Sequence, residues 1–168
     1  MKIVIPTCDK YAHTVPAHVH YLRKGWPQCP YEVMVVVGGK ATLDDVDATV
    51  ITLGKDHGYA DNFFIFLNRY MHDELMLLCL DDLIPVGVYP RRIARSVAVI
   101  EKDRNVVMVR LSKRFSTPGV PYKKEDFFVE MDKGDSHLFS QKGTIWRVSN
   151  FRKLLSKGST PWGAEDLG

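Results

Sequence analysis

Two adjacent carboxylates, Asp81 and Asp82, follow directly on the six-residue apolar run Leu75–Leu80. Side by side they repel and raise each other's pKa unless a cation neutralises them, and hard divalent ions take oxygen ligands of this kind. The pair therefore reads as a metal site. A second reading stays open at this point: Asp81 opens a turn and caps the next segment, as Asp often does. Another acidic pair, Glu165 and Asp166, lies beside the large aromatic Trp162 near the end of the chain, where acids are more often simply solvated.

The elements that must position these groups are legible as alternating strands and helices. Leu75–Leu80 has no polar alternation, as expected of a strand buried on both faces, and such a strand delivers Asp81 and Asp82 to the carboxyl edge of a sheet, where open α/β folds hold their ligands. Lys2–Thr7 reads as an opening strand, Tyr31–Val37 as a second and Thr49–Leu53 as a short third. Thr14 and Pro16 start a helix that Gly25 stops, and a second helix between Gly58 and His72 sets Phe63, Leu67, Tyr70 and Met71 on one face. Pro90 opens a third, with Ile93, Val97 and Ile100 on one side and Arg91, Arg92 and Arg95 on or beside the other. Beyond it come a strand at Asn105–Leu111, a long loop at Lys113–Asp126 and a strand at Phe127–Met131. Ser149 then caps a helix through Phe151 and Leu155 that Gly158 ends. This pattern predicts an α/β fold with a mostly parallel, Rossmann-like central sheet and helices on both faces.

With 168 residues the chain is read as one domain, 1–168. A net charge of +3 falls short of a dedicated nucleic-acid binder. The basic clusters at Arg91, Arg92 and Arg95, at Lys113 and Arg114 and at Lys123 and Lys124 would suit an anionic substrate or peripheral contact with a membrane surface, or form a solvated face. Three cysteines, Cys8, Cys29 and Cys79, have no metal-like spacing and an odd count, which points to a reducing cytoplasm. The opening residues are too short and too early broken by Pro6 for a signal peptide, so the mature chain is expected to start at Met1. His18 and His20 point to different sides of their helix and make a poor metal pair, while His57 and His137 lie in loops near the ligand edge.

Taken in order, the Ile-Pro-Thr end of the first strand, Asn62 near a helix start and the strand running into Leu80-Asp81-Asp82 resemble a nucleotide-sugar glycosyltransferase of the GT-A fold. Gln141-Lys142-Gly143-Thr144-Ile145-Trp146 before a helix, then Pro161-Trp162 and Glu165-Asp166, are similar to the second half of bacterial surface-polysaccharide transferases. The resemblance spans nearly the whole chain and implies a nucleotide-binding half at 1–88, an acceptor-side half at 89–168, and transfer of a sugar from a nucleoside-diphosphate donor, UDP by default, to a glycan or other hydroxyl acceptor.

It also implies roles for particular residues. Asp81 and Asp82 correspond to a DxD-type motif holding Mn2+ or Mg2+ against the donor diphosphate. Leu83 stands where a full motif has its last acid, so coordination would fall on Asp82 with Asp81 on ribose or sugar. Thr7, Asp9 and Tyr11, with Asn62, would grip the nucleoside, and Gly38-Gly39 replace the acid that usually follows the second strand. Glu165 or Asp166 would be the base of an inverting displacement, with Trp162 flooring the acceptor sugar and Trp146 packing behind it or doing the same. The enzyme would work in the cytoplasm, at the inner face of a membrane. Two alternatives remain: a nucleotide-sugar binding protein without turnover, and a metal-dependent nucleotidyltransferase, for which the first loop lacks a Gly-rich phosphate cradle.

Overall fold

The computed structural model describes residues 1–112, 120–123, 125–131, 139–161 and 163. Its centre is a six-stranded sheet whose strands lie in the order Thr49–Thr52, Val33–Gly38, Lys2–Cys8, Leu75–Leu78, Thr144–Arg147 and Met108–Arg110. Strands β1 (Lys2–Cys8), β2 (Val33–Gly38), β3 (Thr49–Thr52) and β4 (Leu75–Leu78) run parallel. Strand β8 (Thr144–Arg147) lies antiparallel between β4 and β5 (Met108–Arg110), so the sheet is mostly parallel with one reversed strand. Among the described residues no helix is long and apolar enough to cross a membrane.

Period-two alternation sends the strand side chains to two cores. On one face Val4, Met34, Val36, Met76 and Leu78 pack with α2 (Tyr59–Arg69) and α4 (Val148–Leu154) through Phe63, Phe66 and Phe151. On the other, Ile3, Ile5, Val35 and Leu77 meet α1 (Val15–Gly25) and α3 (Pro90–Lys102) through Val19, Leu22, Ile93, Val97 and Ile100. Because both faces are covered, β2 and β4 are buried along their whole length, which is why their sequences lack alternation.

Three local expectations are corrected. Val120–Tyr122, within the expected loop, is strand β6 and pairs with β7 (Glu125–Glu130) in an antiparallel hairpin with an irregular register at Pro121 and Tyr122. Proline is tolerated there because this two-stranded sheet is all edge. Helix α4 starts at Val148 with Arg147 in the capping position, so Ser149 lies inside its first turn. Trp146, offered for an acceptor sugar, is 1% exposed, with its indole N–H donating to the Ser140 carbonyl at 2.9 Å and its ring against Phe139 and Phe151. Its alternation on β8 turns it into the core, so only the packing role is left to it.

At the amino edge a polar network closes α3. Arg147, buried at the end of β8, donates to the carbonyls of Ile100, of Asp103 at 3.2 Å and of Val106 at 3.1 Å. These carbonyls at and beyond the helix end would otherwise lack partners. Asp103 in turn accepts from the Tyr122 hydroxyl at 2.5 Å, the Lys123 ammonium at 2.6 Å and the Asn105 backbone N–H at 2.9 Å. These donors hold its carboxyl far below the usual carboxylate range, Lys123 having the largest effect.

Candidate active site

The parallel strands β1 to β4 end at one edge, and the residues just beyond their carboxyl ends come together there. Thr7, next to last in β1, donates its hydroxyl to Asp81 Oδ2 at 2.5 Å. Residues 80–83 make a turn, with the Leu83 N–H bonded to the Leu80 carbonyl at 3.2 Å, so the turn and the site coexist in one segment. Asp81 is half-buried and Asp82 exposed. Burial pushes the Asp81 carboxyl above its ordinary value, the Thr7 hydroxyl pulls it down, and the charge of Asp82 pushes it up again. A partly desolvated carboxylate beside a second one is a place where a cation is favoured.

The first loop is tied to the second. Asp9 Oδ1 accepts the backbone N–H groups of Lys40 and Ala41, both at 2.7 Å, and Gly39, at φ +132°, lies so close that a Cβ there would fall 2.3 Å from the same oxygen. Asp9 thus joins two loops of the edge. Tyr11 is exposed, with Lys10 Nζ 5.1 Å from its ring centroid.

Asn62, on the first turns of α2, donates to Asp56 Oδ1 at 2.8 Å and accepts from the His57 N–H at 3.1 Å. Asp56 Oδ1 also takes the Gly58 N–H at 2.9 Å. A Cβ on Gly38 would lie 2.3 Å from Asn62 Nδ2 and 3.3 Å from Asp56 Oδ1. Gly38 therefore does more than turn the chain: its missing side chain is what lets Asn62 and Asp56 reach the end of β2. Asp56 was not singled out in the sequence, since nothing local marks a loop acid that meets residue 38 only through the fold. His18 is buried on α1 and His20 exposed, as their spacing predicts; burial lowers the His18 pKa, and the Asp81 backbone and Asp82 charge oppose this.

The reversed strand brings the later chain to the same edge, because Thr144, which opens β8, pairs with Leu78 at the end of β4. Just before it, buried Gln141 donates its Nε2–H to the Pro161 carbonyl at 2.9 Å. That bond ties the segment leading toward the C-terminal acids to the edge. Trp162, Glu165, Asp166 and His137 themselves lie outside the described residues. Among the described residues no group of three or more His, Cys, Asp or Glu is gathered to hold a metal. An ion held by Asp81 and Asp82 would have to complete its shell with ligand oxygens and water.

No protein-family model and no curated protein matches the sequence. Solved structures do match. The first 349 residues of TarS from S. aureus superpose with a TM-score of 0.57 at 14% identity, covering 98% of this chain and 53% of that one. The same portion of TarS in complex with UDP gives 0.56 at 14%, with the same coverage. An active-site mutant of LgtC gives 0.55 at 13%, covering 91% of this chain and 59% of the other. This chain thus spans little more than half the length of the structures it matches. Both neighbours are GT-A-type glycosyltransferases, and the mostly parallel sheet with helices on both faces has their fold.

Proposed function

We propose that the chain binds a nucleoside-diphosphate sugar at the carboxyl edge and transfers the sugar to a hydroxyl of a glycan or similar acceptor. The observation that carries this is the convergence of Asp81, held by Thr7, with exposed Asp82 at the end of the central strand. In this reading Asn62 and Asp56 meet the nucleoside beside Gly38, Asp56 standing in for the acid absent after β2. Tyr11 offers an open ring to the base. Asp81 and Asp82 would hold Mn2+ or Mg2+, which, when bound, neutralises charge on the departing diphosphate. Glu165 or Asp166 would take the proton of the acceptor hydroxyl as the sugar is attacked from the face opposite the leaving group, giving inversion. Trp162 would floor the acceptor. UDP is the first donor to test because one matched structure holds it. The three cysteines are free, which fits a reducing cytoplasm, and the acceptor would be met at the membrane's inner face.

A second reading, donor binding without turnover, is favoured by exposed Leu83 in the place of a third acid. The test of both is thermal stabilisation by a panel of nucleoside diphosphates with Mn2+, Mg2+ or chelator, followed by transfer assays with the corresponding sugar donors. Stabilisation by one nucleotide with metal, and release of that nucleotide from its sugar donor, are expected. Stabilisation without release in the presence of acceptor would favour the second reading. If no nucleotide stabilised the protein, the donor site would be lost to both.

A further inference from the structure

We infer that the segment after Asp82, the first turns of α3 and the β6–β7 hairpin form a docking surface for an anionic lipid bilayer. This deepens the reading above by naming the surface on which a lipid-borne acceptor would be met. Single exposed apolar side chains are ordinary, but contiguous ones mark contact surfaces. Between Asp82 and α3, Leu83, Ile84, Val86 and Tyr89 are all exposed, Val86 completely and Tyr89 by 61%.

The charges around them break a local rule. Arg91 and Arg92 are exposed in the first turn of α3, where the helix dipole disfavours cations, and no acid stands in that turn to offset them. Two such violations together are expected where a partner outside the chain supplies the compensation. The arginines also reach across to the hairpin. The Arg92 guanidinium lies 4.8 Å from the Tyr89 ring centroid and 5.8 Å from that of Phe127, while Arg95 lies 4.8 Å from Phe127, so the arginines bridge loop and hairpin. Phe127 is 41% exposed, and Val129, two residues on along the same face of β7, is more so.

Arginines among exposed aliphatic and aromatic side chains fit the boundary of a bilayer, where phosphates meet the cations and acyl chains meet the apolar groups. A nucleic acid would use the arginines and leave Leu83, Ile84 and Val86 in water. A second copy packed face to face would set arginine against arginine. Leu83 is bonded to Asp82, so the patch begins where the candidate donor site ends.

The test is co-sedimentation of the full chain with vesicles of phosphatidylcholine alone and of phosphatidylcholine mixed with phosphatidylglycerol, for the wild type, Arg91→Gln with Arg92→Gln, and Val86→Ser. Both variants alter exposed side chains outside the donor edge, and equal melting temperatures would verify their folds. The wild type should pellet with anionic vesicles only. Binding should fall about fivefold per arginine neutralised, and more weakly for Val86→Ser. A wild type left in the supernatant, or an arginine variant that pellets as fully as the wild type, would overturn the inference. Nucleotide stabilisation measured on the same proteins keeps the two proposals separate, since either can fail while the other stands.

Discussion

Asp81 and Asp103 are two carboxylates at opposite edges of one sheet, and they are treated oppositely. Asp103 at the amino edge is saturated with donors: a phenol, an ammonium and a backbone N–H, and its pKa is driven down. Asp81 at the carboxyl edge is half-buried beside another acid, and burial drives its pKa up against the pull of the Thr7 hydroxyl. The chain thus spends its own hydrogen bonds where structure must be closed, leaving underserved the carboxylate that a ligand can complete. Strain in a folded protein of this kind is expected at sites of function.

The largest effect on this comparison should come from Arg147→Ala. It strips partners from the carbonyls around the end of α3 and should destabilise the protein by about 3 kcal/mol or more, read by denaturant unfolding, without removing nucleotide binding. If nucleotide binding vanished while the fold stayed intact, the two edges would not be separable. Next, Asp81→Asn should lower transfer about 100-fold while leaving the melting temperature of the ligand-free protein unchanged or raised, because a partly buried charge is removed. A clear loss of stability would make Asp81 a second Asp103.

Smaller, and opposite in sign at the two edges, are the pH effects. Asp103 titrates lower in the folded state than its ordinary 3.8, so it stabilises the fold above that value and the contribution is lost as pH falls toward its folded pKa. Asp81 titrates above 3.8 when folded, so the native state holds the extra proton and stability declines as pH rises through its window. Unfolding free energies across acid pH should lose the first slope in Asp103→Asn and the second in Asp81→Asn. The smallest effect is expected of Gly38→Ala, which pushes on the movable ends of Asn62 and Asp56 at a cost of about 1 kcal/mol and weakens nucleotide affinity. Unaltered affinity, measured by calorimetry, would remove Asn62 and Asp56 from the donor site.

What could be read from the sequence follows the range of the interactions involved. The continuous apolar runs at β2 and β4 and the spacing of Ile93, Val97 and Ile100 are dictated by burial on a regular element, and these appear where periodicity puts them. The carboxyl-edge position of Asp81 and Asp82 followed from β4 alone. By contrast, the room that Gly38 makes has no local sign because the side chain it serves is 24 positions away, and Asp56 had no local signature at all. Trp146 suggested a sugar platform by its type, but the alternation of a strand in the middle of the sheet decides its direction. The β6–β7 hairpin was hidden by Pro118, Gly119 and Pro121, which punctuate loops and edge strands alike.

The reversed strand β8 has a consequence for how the molecule is made. Among the described residues strand β5 pairs only with β8, and β8 reaches β4 across roughly 70 residues of chain, so this part of the sheet is closed by contacts of high sequence separation. During synthesis the four parallel strands can assemble while α3 and β5 still wait for a strand from the far end of the chain. Until it arrives, the outer edge of β4 is open and unpaired, a template for the wrong neighbour. The nascent chain is therefore most vulnerable to aggregation between the emergence of β5 and that of β8, and the insertion of β8 is the step that ends the exposure.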